Sequence, residues 1–403
     1  MSPNVRSLVG FALLGCINAV LAPTVFSTNY LIIPYSRPIV IIIEGLPALA
    51  IKLLLPHVLY YVAWRTRPCL LAGCWLLAAL VTLAAPPNVS PLIRILSTAI
   101  ASATAAAGEV MFVTQTRHYG PWGLAGWGIG TGIGGLVAVM MPYVLTTGLR
   151  LFLRCAIQIV YPLVAIMLLA YFYILPAVQL PRVGGKRRQY NASSGDDEEN
   201  IPLTTQEVTP PSTVKLADGI KGSLSLAKPL MAEYILPIAL TFTLQSFVFP
   251  ASARLQPRST SIETFTQFKF AFGFAFQLGS LASRSSVWLF RWKSVYQLLL
   301  LTAVASGLQL INTVFMVSSN AISLLLLASS AGAASGAIYM KIWTAYMDHM
   351  GTIAMSDGDI SVGCISTGET LGGMVGSLAG SFMELFYCGS EGGRKRRWCS
   401  STR

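Results

Sequence analysis

Glu109 is the residue whose type and position could do chemistry most directly. It follows Gly108 inside an apolar run, and an acid near the middle of a membrane span costs roughly 3 kcal/mol even on lenient insertion scales. Such an acid usually faces an interior cavity, where it relays protons or balances the charge of a cation. The alternative is a protonated carboxyl group that makes one interhelical hydrogen bond.

Glu44 and Lys52 form a second candidate pair. They lie eight residues apart, close to two helical turns, so both fall on roughly one face of a helix. Pro47 is expected to bend that helix between them, and a broken helix with two charges can line a cavity. We therefore place Glu44 and Lys52 on the same substrate or proton pathway as Glu109. Alternatively, Lys52 extends its ammonium group to the membrane interface.

Arg284 and Glu369 are further candidates. Arg284 lies between serines at the end of an apolar run, where an arginine either anchors the helix end or binds an anionic group. Glu369 precedes a run of glycines and is a second candidate intramembrane acid. A polar connection ahead of it is predicted to be solvated, and its acids are Asp348, Asp357 and Asp359.

The sequence offers little support for enzymatic chemistry. No Ser-His-Asp arrangement, His-Glu-x-x-His motif or paired-cysteine motif stands out, and the seven cysteines have no metal-ligand spacing. Gly130, Gly132 and Gly135 match the spacing of a dinucleotide-binding turn, but that motif needs an acid about 20 residues later. The sequence around position 155 holds no acid. We predict a protein that is not an enzyme and has no cofactor and no metal site.

Glycines at four-residue spacing are predicted to be packing surfaces. They form two runs, Gly126, Gly130 and Gly134, and Gly372, Gly376 and Gly380. Residues four apart share one helix face, and small residues on that face let a neighbouring backbone approach closely, which is how helices associate in lipid. We expect one tightly packed helix pair at each run.

Composition makes this an all-α polytopic membrane protein. Hydrophobic residues make up 54% of the 403 residues and charged residues 11%, against about 25% charged residues in typical soluble domains. The mean hydropathy is +0.63, and only a bilayer can solvate apolar runs of about 20 residues. The basic residues behind the +12 net charge lie mostly between these runs. This placement indicates membrane topology, with lipids as partners and no nucleic acid.

Apolar windows predict about eleven transmembrane helices in two pseudo-repeated halves. We predict an N-terminal half over 1–175, a disordered cytoplasmic linker over 176–228, a C-terminal half over 229–388 and a basic tail over 389–403. Residues 101–116 resemble residues 328–344, and each segment is followed by one of the glycine runs. Two matching halves around a linker are typical of major-facilitator transporters.

Three blocks of the chain carry a resemblance to one family. They are Glu44 to Pro47 followed by Lys52 and Leu53, Gly108 to Val110 followed by Gly126 to Gly132, and Phe276 to Gly279 followed by Ser283 to Ser286. In these blocks the chain resembles the battenin family of lysosomal and vacuolar membrane proteins, with Glu44 where an aspartate is usual. The resemblance covers most of the membrane part of the chain.

The resemblance implies a vacuolar or lysosomal membrane location, a role in luminal pH homeostasis, links to basic amino-acid transport and a major-facilitator-like fold. Our hypothesis is a proton-linked secondary transporter of a small cationic solute. In it, Glu109 carries a proton or balances the cation, Glu44 and Lys52 line the cavity, and Arg284 holds the cytoplasmic gate. The alternative is a non-transporting scaffold whose linker recruits trafficking partners or regulates the vacuolar proton pump.

Overall fold

All regular structure in the described part of the chain is helical. The computed structural model describes residues 2–30, 36–59, 61–84, 91–144, 157–176, 228–253, 265–286, 294–315, 317, 320–350 and 355–389. The predicted linker and tail lie almost wholly outside these residues, so the boundaries of the four predicted segments remain predictions.

Eleven long helical segments make up the described residues. The first six are α1 (Pro3–Tyr30), α2 (Arg37–Leu59), α3 (Arg67–Ala84), α4 (Pro91–Thr116), α5 (Gly120–Tyr143) and α6 (Ile157–Ile174). The other five are α7 (a π-helical turn Met231–Ile235 and then Leu236–Ala253), α8 (Phe265–Ser285), α9 (Val295–Phe315), α10 (Ala321–Met350) and α11 (Met355–Gly389). The all-helical fold is confirmed.

Nine of these helices are long and apolar enough to cross a membrane. The other two, α8 and α11, are also long, at 21 and 35 residues, but they are more polar. α8 carries Arg284, and α11 carries Asp359, Glu369 and Glu384. These charged groups interact with neighbouring helices, so the two polar helices contribute part of the charge inside the bundle.

Helix packing repeats between the first six and the last five helices. Within the first half α1 packs most extensively on α5, and α2 packs on α4; in the same way α7 packs on α11 and α8 on α10 within the second half. The first half meets the second chiefly where α2 contacts α11 and α5 contacts α8. An apolar core runs through both halves, and its largest buried side chains include Trp75, Trp127 and Trp343. The structure thus has two pseudo-repeated halves.

The glycine runs lie where helix backbones touch. A Cβ atom added to Gly126, Gly130 or Gly134 of α5 would collide with the carbonyl oxygens of Leu8, Ala12 or Cys16 of α1. On α11, a Cβ atom at Gly372 or Gly376 would collide with the carbonyl oxygens of Ala239 or Thr243 of α7. Gly380 lies one turn further along α11. Only a residue without a side chain allows these approaches.

We predict that Gly130→Leu prevents the N-terminal half from folding, because its side chain would meet the α1 backbone at Ala12. The variant should be lost from the monodisperse peak in size-exclusion chromatography of detergent-solubilised protein. Gly73→Leu and Gly307→Leu are matched controls, since a Cβ atom at either glycine meets no atom within 4 Å. A monodisperse, thermally stable Gly130→Leu protein would contradict the backbone contact.

Candidate functional site

A buried ion pair joins α2 to α4. The Lys52 Nζ atom lies 2.7 Å from the Glu109 Oε2 atom, and their side chains are only 4% and 15% exposed. The same Nζ donates a hydrogen bond of 3.1 Å to the Ser366 carbonyl oxygen of α11. Lys52 therefore neutralises an acid of its own half and bonds to the backbone of the other half.

Gly108 brings α1 up to the helix that carries Glu109. A Cβ atom at Gly108 would collide with the side-chain oxygen of Asn18, and the Asn18 amide donates a hydrogen bond of 3.2 Å to the Ala105 carbonyl oxygen. The glycine next to the acid therefore lets α1 and α4 pack closely behind Glu109.

Glu369 joins this pair from α11. It lies three residues after Ser366, so both face the same side of the helix. The charges of Glu109, Lys52 and Arg284 act on its carboxyl group. One oxygen of each carboxyl group, Oε1 of Glu109 and Oε2 of Glu369, is buried without a hydrogen-bond partner. The site thus holds two acids with unused acceptor atoms.

Arg284 approaches the same site from α8. Its guanidinium group donates a hydrogen bond of 2.7 Å to the Thr131 hydroxyl group of α5 and lies 4.4 Å from the ring centroid of Tyr339 on α10. The Trp127 indole of α5 donates a hydrogen bond of 3.2 Å to the Tyr339 hydroxyl group. Arg284 therefore points between the halves, and its buried Nε atom makes no hydrogen bond.

Glu44 is the predicted site residue that lies apart from this group. The charge that acts on it is Arg37, toward the start of α2, and eight residues of helix separate it from Lys52, or about 12 Å. Lys52 is buried, so it does not extend to the interface. The structure thus brings together Lys52, Glu109, Glu369 and Arg284 but leaves Glu44 outside their contacts.

An ion pair between the halves lies on each side of this site. Arg37 at the start of α2 contacts Glu384 near the end of α11 at 2.8 Å. Arg117, just after α4, contacts Asp359 near the start of α11 at 3.4 Å. Asp359 and Glu384 are 25 residues apart, or about 37 Å along the helix. Glu369 lies between them, so one ion pair links the halves on either side of the site along α11.

Asp359 corrects one sequence prediction. We expected it in a solvated connection, but α11 begins earlier than predicted, and Asp359 is 8% exposed inside that helix. The apolar run in the sequence begins after the first turn of α11, because the Asp357-Gly-Asp359 segment lowers the local hydropathy. Its partner Arg117 is one of the basic residues between apolar runs, whose placement indicates topology and gives no sign that it binds the opposite half.

His118 lies beside this ion pair, in the short connection between α4 and α5. The Arg117 Nε–H donates a hydrogen bond of 3.2 Å to its Nε2 atom, and its ring packs edge-on against Trp64. Burial, with the positive charges of Arg117 and Arg67, lowers the pKa of His118 to about 4. The imidazole is therefore neutral at ordinary pH and acts as a hydrogen-bond acceptor.

Sequence reasoning also missed Tyr339, Thr131 and the Arg37–Glu384 pair. Tyr339 and Thr131 lie in apolar runs, where an aromatic or a threonine gives no functional signal. Arg37 and Glu384 are 347 residues apart in the chain, so no local pattern relates them.

Among the described residues no group of His, Cys, Asp and Glu side chains could hold a metal ion.

The two-halved bundle with charges between its halves defines a multi-pass membrane protein with a major-facilitator-like fold. A bacterial homologue of the human lysosomal transporter Spinster, inward-facing and unoccupied, matches 96% of this chain and 84% of its own at a TM-score of 0.53 and 12% identity. A variant of the nucleoside transporter NupG matches 99% of this chain and 95% of its own at a TM-score of 0.55 and 13% identity.

A model of the CLN3 protein family matches residues 9–390. The chain belongs to this family, also called the battenin family.

Two curated relatives of the chain are fungal proteins. Protein btn-1 of Neurospora crassa is 25% identical, covering 99% of this chain and 92% of its own length. Protein BTN1 of Chaetomium globosum is 26% identical, covering 98% of this chain and 91% of its own length. Family membership, expected from the three sequence blocks, is therefore confirmed.

We predict that Lys52→Met lowers the free energy of unfolding by about 3–5 kcal/mol, because it leaves the Glu109 carboxylate buried without its cation. The double variant Lys52→Met with Glu109→Gln should lose less than the sum of the single changes, measured by denaturant titration in detergent micelles. Lys228→Met, at an exposed lysine just before α7, controls for the loss of a charge. Strictly additive losses would show that Lys52 and Glu109 do not interact.

We predict that stability falls as the pH is lowered from about 6.5 toward 4. The folded protein holds His118 with a lowered pKa of about 4, so the unfolded chain takes up this proton first and acid favours unfolding. His118→Gln keeps a hydrogen-bond acceptor but does not titrate. The midpoint temperature of its thermal unfolding should therefore fall less than that of the wild type between pH 7 and pH 4.5. An equal fall of the unfolding temperature in both proteins over this range would contradict the lowered pKa of His118 in the folded protein.

Proposed function

We propose that this protein is a proton-linked secondary transporter of the vacuolar membrane that moves basic amino acids and so contributes to vacuolar pH homeostasis. The observation that carries the proposal is Lys52, whose ammonium group binds Glu109 in one half and the Ser366 carbonyl oxygen in the other. A charged site between two halves of a major-facilitator-like fold is where such transporters bind their solutes.

The groups at the site suit a basic amino acid. The partner-free carboxyl oxygens of Glu109 and Glu369 can accept hydrogen bonds from a guanidinium or ammonium group. Arg284 has a buried Nε–H without a partner, which suits the carboxylate at the other end of the solute. A solute with both charges would satisfy groups that are otherwise left without hydrogen bonds.

Movement between the two access states requires the ends of the bundle to open in turn. Arg117–Asp359 holds one end and Arg37–Glu384 holds the other. If the N-terminus is cytoplasmic, as the positive-inside rule indicates, the Arg117 end is cytoplasmic and the Arg37 end is luminal. Breaking one pair while the other stays closed would expose the site to one side only.

The test is uptake of labelled arginine, driven by a pH gradient, into vesicles that contain the purified full-length protein. We expect accumulation by the wild type and at least about a tenfold lower rate for Glu109→Gln, since a hydrogen bond to a charged group contributes about 1.5–3 kcal/mol. Glu233→Gln is the matched control, because Glu233 is exposed at the start of α7.

Wild-type uptake by Glu109→Gln would remove this acid from the mechanism. No uptake by folded, correctly oriented wild-type protein would contradict arginine transport and favour the scaffold function. Deleting residues 182–226 in cells then tests the scaffold, which requires the linker.

A further inference from the structure

The two acids at the centre of the bundle are not equivalent. Glu109 comes from α4 of the first half and Glu369 from α11 of the second. Lys52 joins them, because its Nζ binds Glu109 and also the carbonyl oxygen of Ser366, which lies one helical turn before Glu369, and the charge of Glu109 acts on Glu369. Two acids so close in a low-dielectric site do not both ionise. One of them therefore holds a proton.

Lys52 decides which acid is ionised. Its Nζ lies 2.7 Å from Glu109 and is held in place by the Ser366 carbonyl oxygen, so the negative charge is most stable on Glu109. Among the described residues Glu369 forms no ion pair, and its Oε2 atom is buried without a hydrogen-bond partner. The proton is therefore on Glu369.

The groups around Glu369 agree with this assignment. Glu109 faces it from α4, Lys52 from α2, Arg284 from α8 and the Tyr339 hydroxyl group from α10. Lys52 is already neutralised by Glu109, and Arg284 is directed to Thr131 and the Tyr339 ring. On the remaining side, α7 presents apolar Ile235 and Ile238 to this part of α11.

We propose that Glu369 is the proton carrier of this protein, that Glu109 stays ionised on Lys52, and that a cationic solute and the proton compete for Glu369. This inference rests on the proposed transport function and refines it to proton–cation exchange. When a solute cation reaches Glu369, the proton leaves and the carboxylate takes the cation as its partner. When the cation leaves, a proton from the opposite side restores the neutral acid, so charge stays balanced in each step.

A first experiment locates the proton without any transport. Infrared spectroscopy of the purified full-length protein detects the C=O stretch of a protonated buried carboxyl group. We expect Glu369→Gln to lose this band and Lys52→Gln with Glu109→Gln, which removes the ion pair as a unit, to keep it. Glu233→Gln is the matched control and should also keep it. A band that survives in Glu369→Gln would overturn the assignment.

The infrared measurement also tests competition. Adding arginine to the wild-type protein should remove the band of the protonated carboxyl group, because the solute cation displaces the proton. Glu369→Asp, which keeps a titratable group, should show the same response if Glu369→Gln does not fold. A band that is unchanged at saturating arginine would contradict proton–cation competition at this site.

A second experiment separates the proton step from solute binding. With equal pH on both sides, exchange of labelled for unlabelled arginine needs no net proton movement. Because the proton and arginine compete for Glu369, wild-type exchange should slow as the shared pH is lowered, whereas the weaker exchange that remains in Glu369→Gln should lose this pH dependence. The same variant should lose accumulation driven by a pH gradient. Gradient-driven accumulation by Glu369→Gln at the wild-type rate would overturn the proposal. If the wild type neither exchanges nor accumulates arginine, the proposed function fails, whereas the infrared result still decides where the proton is.

Discussion

A lysine ammonium group inside an apolar bundle is the constraint on which the rest of this structure depends. Lys52 is 3% exposed, and a buried charge of this kind is tolerated only with a counter-charge and hydrogen bonds. Glu109 supplies the first and the Ser366 carbonyl oxygen the second. Because these partners belong to different halves, satisfying one charge also fixes how the halves meet at their centre.

Glycine contacts between the halves are made mainly to side chains, whereas those within a half are made mainly to backbone. Within a half, glycines such as Gly130 and Gly372 meet the backbone of the neighbouring helix. Between the halves, Gly45, Gly128 and Gly135 face the side chains of Met374, Met340 and Gln277, and Gly363 is an exception, since it also meets the Lys52 carbonyl oxygen. Side chains can change rotamer, whereas two backbones in contact cannot move apart without losing the packing. The fold therefore combines rigid halves with an adaptable interface.

The sequence predicted the fold more completely than the site. Glycine spacing and apolar runs are local patterns, so the two halves and their packing surfaces could be predicted. Glu109 was found because an acid in an apolar run is costly in any arrangement. Its pairing with Lys52 was not predicted, since it depends on how α2 packs against α4. Glu44 was grouped with Lys52 from helix periodicity alone, and the interaction with Arg37 gives it different surroundings.

The backbone contacts of Gly126 and Gly376 divide the chain's possible loss-of-function variants into two kinds. A side chain at either glycine would collide with a neighbouring backbone and would remove the protein from the membrane by preventing assembly. A substitution at Arg284 or Tyr339 alters contacts between the halves, so each half would still fold and any effect would fall on how the halves work together. Protein abundance in cells therefore distinguishes an inherited defect of assembly from a defect of mechanism, and only the first could respond to a stabilising small molecule.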